Sequence, residues 1–178
     1  MKIIVCPLSK VGQMVAAHAP ERVVSLLDPD FDFPELGSAY RDRHLRLHFH
    51  DVHECAPGQI SPAPQHVDQL LVFLERWQRT SPLLIHCRAG IGRSTAAAFI
   101  AACVHNPSVD ERAIALKLRR ASSLARPNQV LIELADAATG RNGRMIRAIE
   151  ETGRNLQWHR VDENFPFEIP GTFPLEQP

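Results

Sequence analysis

A nine-residue run near the middle of the chain, HCRAGIGRS at 86–94, combines a nucleophile with the means of holding an anion. Cys87 can attack as a thiolate, and Arg93, six positions later, can grip two oxygens of a phosphate with its forked guanidinium. The five residues between them predict a phosphate loop whose backbone N–H groups converge on one spot: Arg88, Ala89, Gly90, Ile91 and Gly92. The run therefore predicts chemistry on a phosphate and not only its binding.

The positive field that would hold a phosphate would also activate the nucleophile. Converging N–H dipoles, the dipole of a following helix and Arg93 all favour the thiolate form of Cys87, which is the nucleophilic form. Ser94 can hydrogen-bond the cysteine sulfur and ease its departure when a phosphoenzyme is hydrolysed. We expect His86 to hydrogen-bond neighbouring backbone and tune the loop, a supporting role, rather than to act as a base.

The flanking sequence predicts the elements that position this run. The apolar stretch Leu83–His86 predicts a strand that leads into the loop, and the small, apolar stretch Ser94–His105 predicts the helix that follows it. Alternating and helical hydrophobic patterns predict the remaining elements: strands Ile3–Cys6, Arg22–Leu27 and His44–Phe49, and helices Ser9–His18, Pro64–Arg79, Ser108–Arg120, Asn128–Ala138 and Asn142–Thr152.

This order of elements predicts a single α/β domain with a central, mainly parallel sheet of about four to five strands and helices on both faces. Residues 1–152 would form the catalytic domain. Residues 153–178 are rich in proline and aromatic residues with little periodicity, and would form an irregular C-terminal tail. Ser108, followed three residues later by Glu111, has the pattern of a helix start.

The composition sets limits on partners and location. Lysine plus arginine and aspartate plus glutamate each number 20 in 178 residues, so no global basic field favours nucleic acid or a membrane surface. No apolar run approaches the length of about 20 residues that spans a bilayer, and the first residues have the pattern of a strand. Because those first residues do not have the pattern of a signal peptide, we expect reduced thiols and a cytoplasmic location. The four cysteines lack metal-ligand spacing, so we expect no metal site, and without a spanning run we expect no membrane insertion. The sequence predicts no particular oligomeric state.

The run at 86–94 resembles the signature of the cysteine-based protein tyrosine phosphatases, which is His-Cys, five residues, Arg and then Ser or Thr. Its inner residues are similar to those of classical tyrosine phosphatases, whereas the short chain resembles the compact bacterial and dual-specificity-like members. The resemblance implies a phosphatase-like fold, no cofactor and a two-step reaction. A cysteinyl-phosphate would form on Cys87, and water would then hydrolyse it.

The resemblance also implies a general acid on a loop upstream of the cysteine. Asp51 follows the end of a predicted strand and is the first candidate, with Glu54 as the alternative. Asn128, at the end of the segment RPN before a helix, resembles the asparagine of compact members that supports the phosphate loop or positions water. The same residue is also a good helix N-cap, and Gln129 is an alternative for positioning water.

The leading hypothesis is a phosphomonoester hydrolase: a metal-independent protein tyrosine phosphatase whose partner is a phosphorylated protein or a small phosphoester. The alternative enzyme hypothesis is a dual-specificity, phosphoinositide or inositol phosphate phosphatase with the same mechanism. A third hypothesis, of a different class, is a phosphate-binding module without turnover. The presence of Cys87, Arg93 and Ser94 argues against it, because a site that only binds phosphate needs no thiol.

Overall fold

The computed structural model describes residues 1–52, 56–153 and 162–174. Five strands and six helices lie within these ranges, together with 3-10 turns at Leu8–Lys10 and Ser38–Tyr40. The strands are β1 (Lys2–Pro7), β2 (Arg22–Leu27), β3 (His44–His48), β4 (Leu83–Cys87) and β5 (Phe167–Pro170). The helices are α1 (Val11–His18), α2 (Pro64–Glu75), α3 (Arg93–His105), α4 (Glu111–Ala121), α5 (Gln129–Ala138) and α6 (Arg144–Glu151).

The strands form one sheet in the order β3-β2-β4-β1-β5, in which β5 alone is antiparallel to its neighbour. β4 is central and buried along its whole length, which explains its continuous apolar sequence. Its last residue, Cys87, lies in register with Pro7 of β1 and Leu26 of β2. The carboxyl ends of three parallel strands therefore meet at the cysteine, at the edge where open α/β sheets bind their ligands.

Helices cover both faces of the sheet, so the predicted α/β fold with a mainly parallel sheet is confirmed. α1 packs on one face through a small cluster that includes Val11, and α2 to α6 lie on the other. α3 is buried from Arg93 to Cys103, and its alanines allow it to pack closely on β1 and β4. Within the described ranges, no helix is long and apolar enough to cross a membrane.

Two helix boundaries differ from the sequence prediction by three residues or more. α2 ends at Glu75 and not at Arg79, because its last turn tightens and Trp77 N–H bonds to the carbonyl only three residues back. Trp77 stays buried in the core outside the helix. α4 begins at Glu111 and not at Ser108, since Asp110 caps it by accepting the Arg112 N–H at 2.9 Å.

The C-terminal segment contains a strand where we expected an irregular tail. β5 pairs with β1, and Ile169 is buried against the core. The strand has only four residues, follows Pro166 and ends at Pro170, so it is too short to show a period-two pattern in the sequence. The division of the chain into a domain at 1–152 and a tail at 153–178 stays a prediction.

Candidate active site

The nine-residue run spans the end of β4, the phosphate loop (residues 88–92) and the first turn of α3. Cys87 is almost fully buried, and its Sγ accepts the backbone N–H of Gly90 at 3.2 Å. The Ser94 Oγ lies 3.1 Å from the same sulfur. The sulfur therefore sits inside the turn of the loop, in contact with two polar groups that can stabilise a negative charge.

All five carbonyls of the phosphate loop are bonded to groups outside it. Each carbonyl of residues 88 to 92 accepts at least one such bond, in chain order from Leu8 N at 3.1 Å, Asn164 N at 2.8 Å, Asn164 Nδ2 at 3.0 Å, Arg126 N at 2.9 Å and Asn128 N at 3.3 Å. The carbonyls of residues 91 and 92 also accept bonds from the first turn of α3. A planar trans peptide points its C=O and the next N–H in opposite directions. Holding the carbonyls outward therefore turns the loop N–H groups inward, which is the arrangement of an anion site.

Two glycines of the loop are required by close contacts. Gly90 has a φ of +71°, and a Cβ there would lie 2.9 Å from Pro7 N in β1. A Cβ on Gly92 would overlap the carboxylate of Asp51. A larger residue in place of Gly90 would displace β1, and a larger residue in place of Gly92 would displace the Asp51 carboxylate.

Arg93 is held in a fixed orientation beneath the site. Its guanidinium donates to both carboxylate oxygens of Asp28, each at 3.2 Å, and to the carbonyl of Phe49 at 2.5 Å. The side chain is only 3% exposed. Its Nε is buried and has no hydrogen-bond partner among the described residues. The fork that we expected to grip two phosphate oxygens therefore binds the Asp28 carboxylate in this structure. A buried donor without a partner is costly, so the Nε–H favours an incoming oxyanion.

Asp51 and Asn128 meet over the loop. Asn128 Nδ2 donates to Asp51 Oδ1 at 2.7 Å and approaches the Val52 carbonyl at 3.2 Å. Asn128 Oδ1 accepts the Leu131 N–H at 3.0 Å, so the residue also caps α5. Asn128 therefore caps α5 and also contacts Asp51, so a role as helix cap and a supporting role at the site do not exclude each other. The alternative acid, Glu54, lies outside the described residues.

His86 makes a contact that the sequence does not predict. Besides the expected interaction with neighbouring backbone, at Cys87, its Nε2 lies 2.5 Å from the hydroxyl of Ser25 on β2. The same hydroxyl lies 2.6 Å from His44 Nε2 on β3. Burial lowers the pKa of His86 to about 3, and the neighbouring His44 adds to this effect. His86 is therefore neutral at pH 7.

A cavity of about 290 Å³ opens above the loop. Its lining includes the candidate residues Asp51, Cys87, Arg88, Ala89 and Arg93, together with Asp28 and His50. The Arg88 guanidinium lies over the ring of Phe31, 4.9 Å from its centroid. The structure thus brings the predicted nucleophile, arginine and first-choice acid to one opening.

Three residues of this region were missed at the level of sequence. Asp28, which binds Arg93, directly follows β2, and a polar residue at the carboxyl end of a parallel strand is a signal that could have identified it. Ser25 is a lone hydroxyl in an apolar strand. Asn164 contacts the loop from far along the chain, and its sequence context gives no signal.

The fold and the site together define a class of protein. A central parallel strand ends in a buried cysteine, an anion-binding loop follows, and a buried arginine begins the next helix. This is the arrangement expected of the cysteine-based phosphatases. The model of the protein-tyrosine phosphatase family matches residues 42–130, half of the chain. The chain therefore belongs to this family, as the run at 86–94 predicted.

Solved structures of phosphatases and of a phosphatase-like protein share the fold. DUSP15 is 17% identical with a TM-score of 0.59, over 85% of this chain and 92% of that one. The human tyrosine phosphatase-like serine/threonine/tyrosine-interacting protein is 16% identical with a TM-score of 0.59, over 78% and 91%. PTPMT1, solved in complex with PI(5)P, is 17% identical with a TM-score of 0.54, over 78% and 91%. None of the curated protein sequences compared with this chain matches it.

Proposed function

We propose that this protein is a phosphomonoester hydrolase that removes phosphate from phosphotyrosine through a cysteinyl-phosphate on Cys87. The observation that carries the proposal is the position of the Cys87 sulfur inside the loop whose five carbonyls all bond outward. A thiol in that position faces the groups that would hold a phosphate. The family match supports the reaction class, and the substrate class rests on the likeness of the loop to that of tyrosine phosphatases.

In the first step the Cys87 thiolate attacks phosphorus, and the bond between phosphorus and the ester oxygen breaks. Asp51 donates its proton to that leaving oxygen, so the alcohol departs neutral. The inward N–H groups of the loop and the Arg93 guanidinium bind the phosphoryl oxygens and stabilise the charge that they carry in the transition state. The product of the step is a cysteinyl-phosphate and a carboxylate on Asp51.

In the second step water attacks the phosphorus of the cysteinyl-phosphate. Asp51, now ionised, accepts a proton from the water, and the bond between sulfur and phosphorus breaks. Ser94, 3.1 Å from the sulfur, donates to the departing thiolate. Inorganic phosphate leaves, and the thiolate and the protonated acid are restored. The cycle uses no cofactor, because the loop N–H groups and Arg93 supply the positive charge.

The experiment compares phosphate release by wild type, Cys87→Ser and Cys103→Ser, with a chelator present. The panel contains phosphotyrosine peptides, phosphoserine and phosphothreonine peptides, phosphoinositides and inositol phosphates. Cys103 is the matched control, because it is equally buried but lies on α3 away from the loop. We expect release from phosphotyrosine that is lost in Cys87→Ser and kept in Cys103→Ser.

Each other result changes a different part of the proposal. Release from phosphoserine and phosphothreonine as well would make the enzyme dual-specific, and release only from inositol-based substrates would replace the substrate class. Release that survives Cys87→Ser would contradict the nucleophile. If no substrate is turned over but oxyanions still bind, the protein is a phosphate-binding module.

A further inference from the structure

We propose that Asn164 is a positioning residue that sets the conformation of the phosphate loop. The inference rests on the proposed function and extends the catalytic unit to residues 162–174. This segment lies beyond the last helix and outside the range that the family model matches. The residues inside the matched range include the nucleophile and the first-choice acid, but not this support.

Asn164 donates hydrogen bonds to two of the five loop carbonyls. Its backbone N–H donates to the Ala89 carbonyl at 2.8 Å, and its Nδ2 donates to the Gly90 carbonyl at 3.0 Å. The residue is only 6% exposed. Its side chain is fixed from behind by Ser122, whose Oγ lies 2.9 Å from Nδ2 and 3.3 Å from Oδ1. A buried amide with both ends bonded cannot turn away from the loop without losing several bonds.

The first of these bonds acts directly on the nucleophile. The Ala89 carbonyl and the Gly90 N–H belong to one peptide unit, and a trans unit points them in opposite directions. Asn164 holds the carbonyl on one side, while the N–H donates to Cys87 Sγ on the other. A flip of this unit would turn an oxygen towards the sulfur and the phosphate, where it would repel both negative charges.

The second bond acts on the next peptide unit in the same way. Asn164 Nδ2 holds the Gly90 carbonyl, which directs the Ile91 N–H to the opposite side, towards the interior of the loop. Gly90 has a φ of +71° and lacks the side chain that would limit rotation. Gly90, one of the two glycines of the loop, is thus flanked by two peptide units that one asparagine fixes.

The segment around Asn164 is anchored independently of the loop. Ser9 Oγ donates to the Glu163 carboxylate at 2.8 Å, and β5 pairs with β1 a few residues later. Asn106 holds the far end, because its Oδ1 accepts the Phe173 N–H at 2.9 Å and its Nδ2 donates to the Gly171 carbonyl at 3.2 Å. Removal of the Asn164 side chain should therefore leave the segment in place.

Asn106 supplies a matched control, because it is as buried as Asn164 and also ties the C-terminal segment, but it lies away from the loop. The test uses wild type, Asn164→Ala and Asn106→Ala. It measures tungstate affinity by calorimetry, the rate of Cys87 alkylation by iodoacetamide at pH 7, kcat and KM, and thermal unfolding.

Asn164→Ala keeps the backbone bond to the Ala89 carbonyl and loses the Nδ2 bond to the Gly90 carbonyl. We expect it to weaken tungstate binding about tenfold, the effect of losing one buried hydrogen bond that orients the site, and to slow alkylation of Cys87, because the freed Gly90 carbonyl loosens the loop around the sulfur. Asn106→Ala should lower the unfolding temperature while tungstate affinity stays within about twofold of wild type. Ser122→Ala removes only the hydroxyl that bonds the Asn164 side chain, and should weaken tungstate binding by a smaller factor than Asn164→Ala. If Asn164→Ala does not fold, Ser122→Ala is used to test the inference instead.

Two results would overturn the inference alone. The first is wild-type tungstate affinity and alkylation rate in folded Asn164→Ala, which would show that the loop holds its conformation without the Asn164 side chain. If Asn164→Ala does not fold, the same result in folded Ser122→Ala has that meaning. An equal loss in Asn106→Ala would show a general effect of the segment on stability. If the wild-type protein itself binds no tungstate, the proposed function fails, and the inference with it.

Discussion

Asn128 Nδ2 lies 2.7 Å from Asp51 Oδ1, while Asn128 Oδ1 caps α5 through the Leu131 N–H. One side chain therefore joins the helix after the site to the loop that carries the candidate acid. The bond engages Oδ1 of Asp51 and leaves Oδ2 over Gly92, where it faces the phosphate loop. The same amide thus caps the helix and contacts the candidate acid.

Substitutions at Asn128 can separate these two roles. Asn128→Ser should keep the cap, because serine is also a good N-cap, but its shorter side chain cannot reach Asp51. We expect wild-type thermal stability with a reduced kcat. Asn128→Ala should lose both, with a cost of about 1 kcal/mol in stability. Equal kcat values for Asn128→Ser and wild type would show that the bond to Asp51 has no part in turnover.

Asp51→Asn tests the general acid through its dependence on the leaving group. A poor leaving group needs protonation and a good one does not, so alkyl and unactivated aryl phosphates should slow by about a hundredfold or more, and activated aryl phosphates far less. Steady-state rates across a series of phosphate esters measure this. Asp68→Asn, on the exposed surface of α2, is the control and should match wild type. If Glu54→Gln shows the pattern and Asp51→Asn does not, the acid is Glu54.

Gly90→Ala tests whether the close approach of the loop to β1 is required. The comparison is Gly58→Ala, because Gly58 has a similar φ of +79° with open space around the site of a Cβ. Gly58→Ala should lose about 1 kcal/mol of stability from backbone strain alone. Gly90→Ala should lose more, together with oxyanion affinity, since its Cβ would lie 2.9 Å from Pro7 N. Equal unfolding temperatures for the two variants would contradict the requirement.

His86 should make the protein sensitive to acid. Burial lowers the pKa of His86 to about 3, below the ordinary value of about 6.5, so between these pH values the unfolded chain binds a proton that the folded chain does not. Stability from this group is complete above about pH 6.5 and falls as the pH approaches 3, by at most about 1.4 kcal/mol per pH unit. His44, whose pKa burial lowers to about 4, contributes to the same range.

Chemical unfolding between pH 7 and pH 4 measures this dependence. His86→Asn should show a shallower loss of stability with falling pH than wild type, because the unfolded chain then has one fewer proton to bind. His48→Gln, at the exposed end of β3, is the control and should keep the wild-type slope. An unchanged slope in His86→Asn would mean that His86 does not titrate differently on folding.

The parts of the site that the sequence predicted are those encoded locally. The strand, the loop and the first turn of α3 follow one another without a gap, so the relation of Cys87 to Arg93 is set by nine consecutive residues. The cap role of Asn128 is likewise a property of its own helix start. Local spacing and residue type are sufficient for such features because the contacting groups are neighbours in the chain.

The missed parts depend on contacts between distant segments. Asp28 meets Arg93 only because β2 lies beside β4 in the sheet. Asn164 reaches the loop only because β5 pairs with β1, and that strand is too short and too rich in proline to be recognised. A local sequence pattern cannot predict these contacts, because they depend on which strands become neighbours when the sheet forms.

The most direct test of the central claim is to trap the intermediate. Wild-type protein is mixed with a phosphotyrosine peptide, quenched with acid during the first turnover, and mapped by peptide mass spectrometry. We expect phosphate on Cys87, and a larger fraction of it in Asp51→Asn with an activated aryl phosphate, because hydrolysis of the intermediate then lacks its base. Phosphate on a different residue, or turnover with no phosphate on the protein at any time, would contradict the proposed cysteinyl-phosphate mechanism.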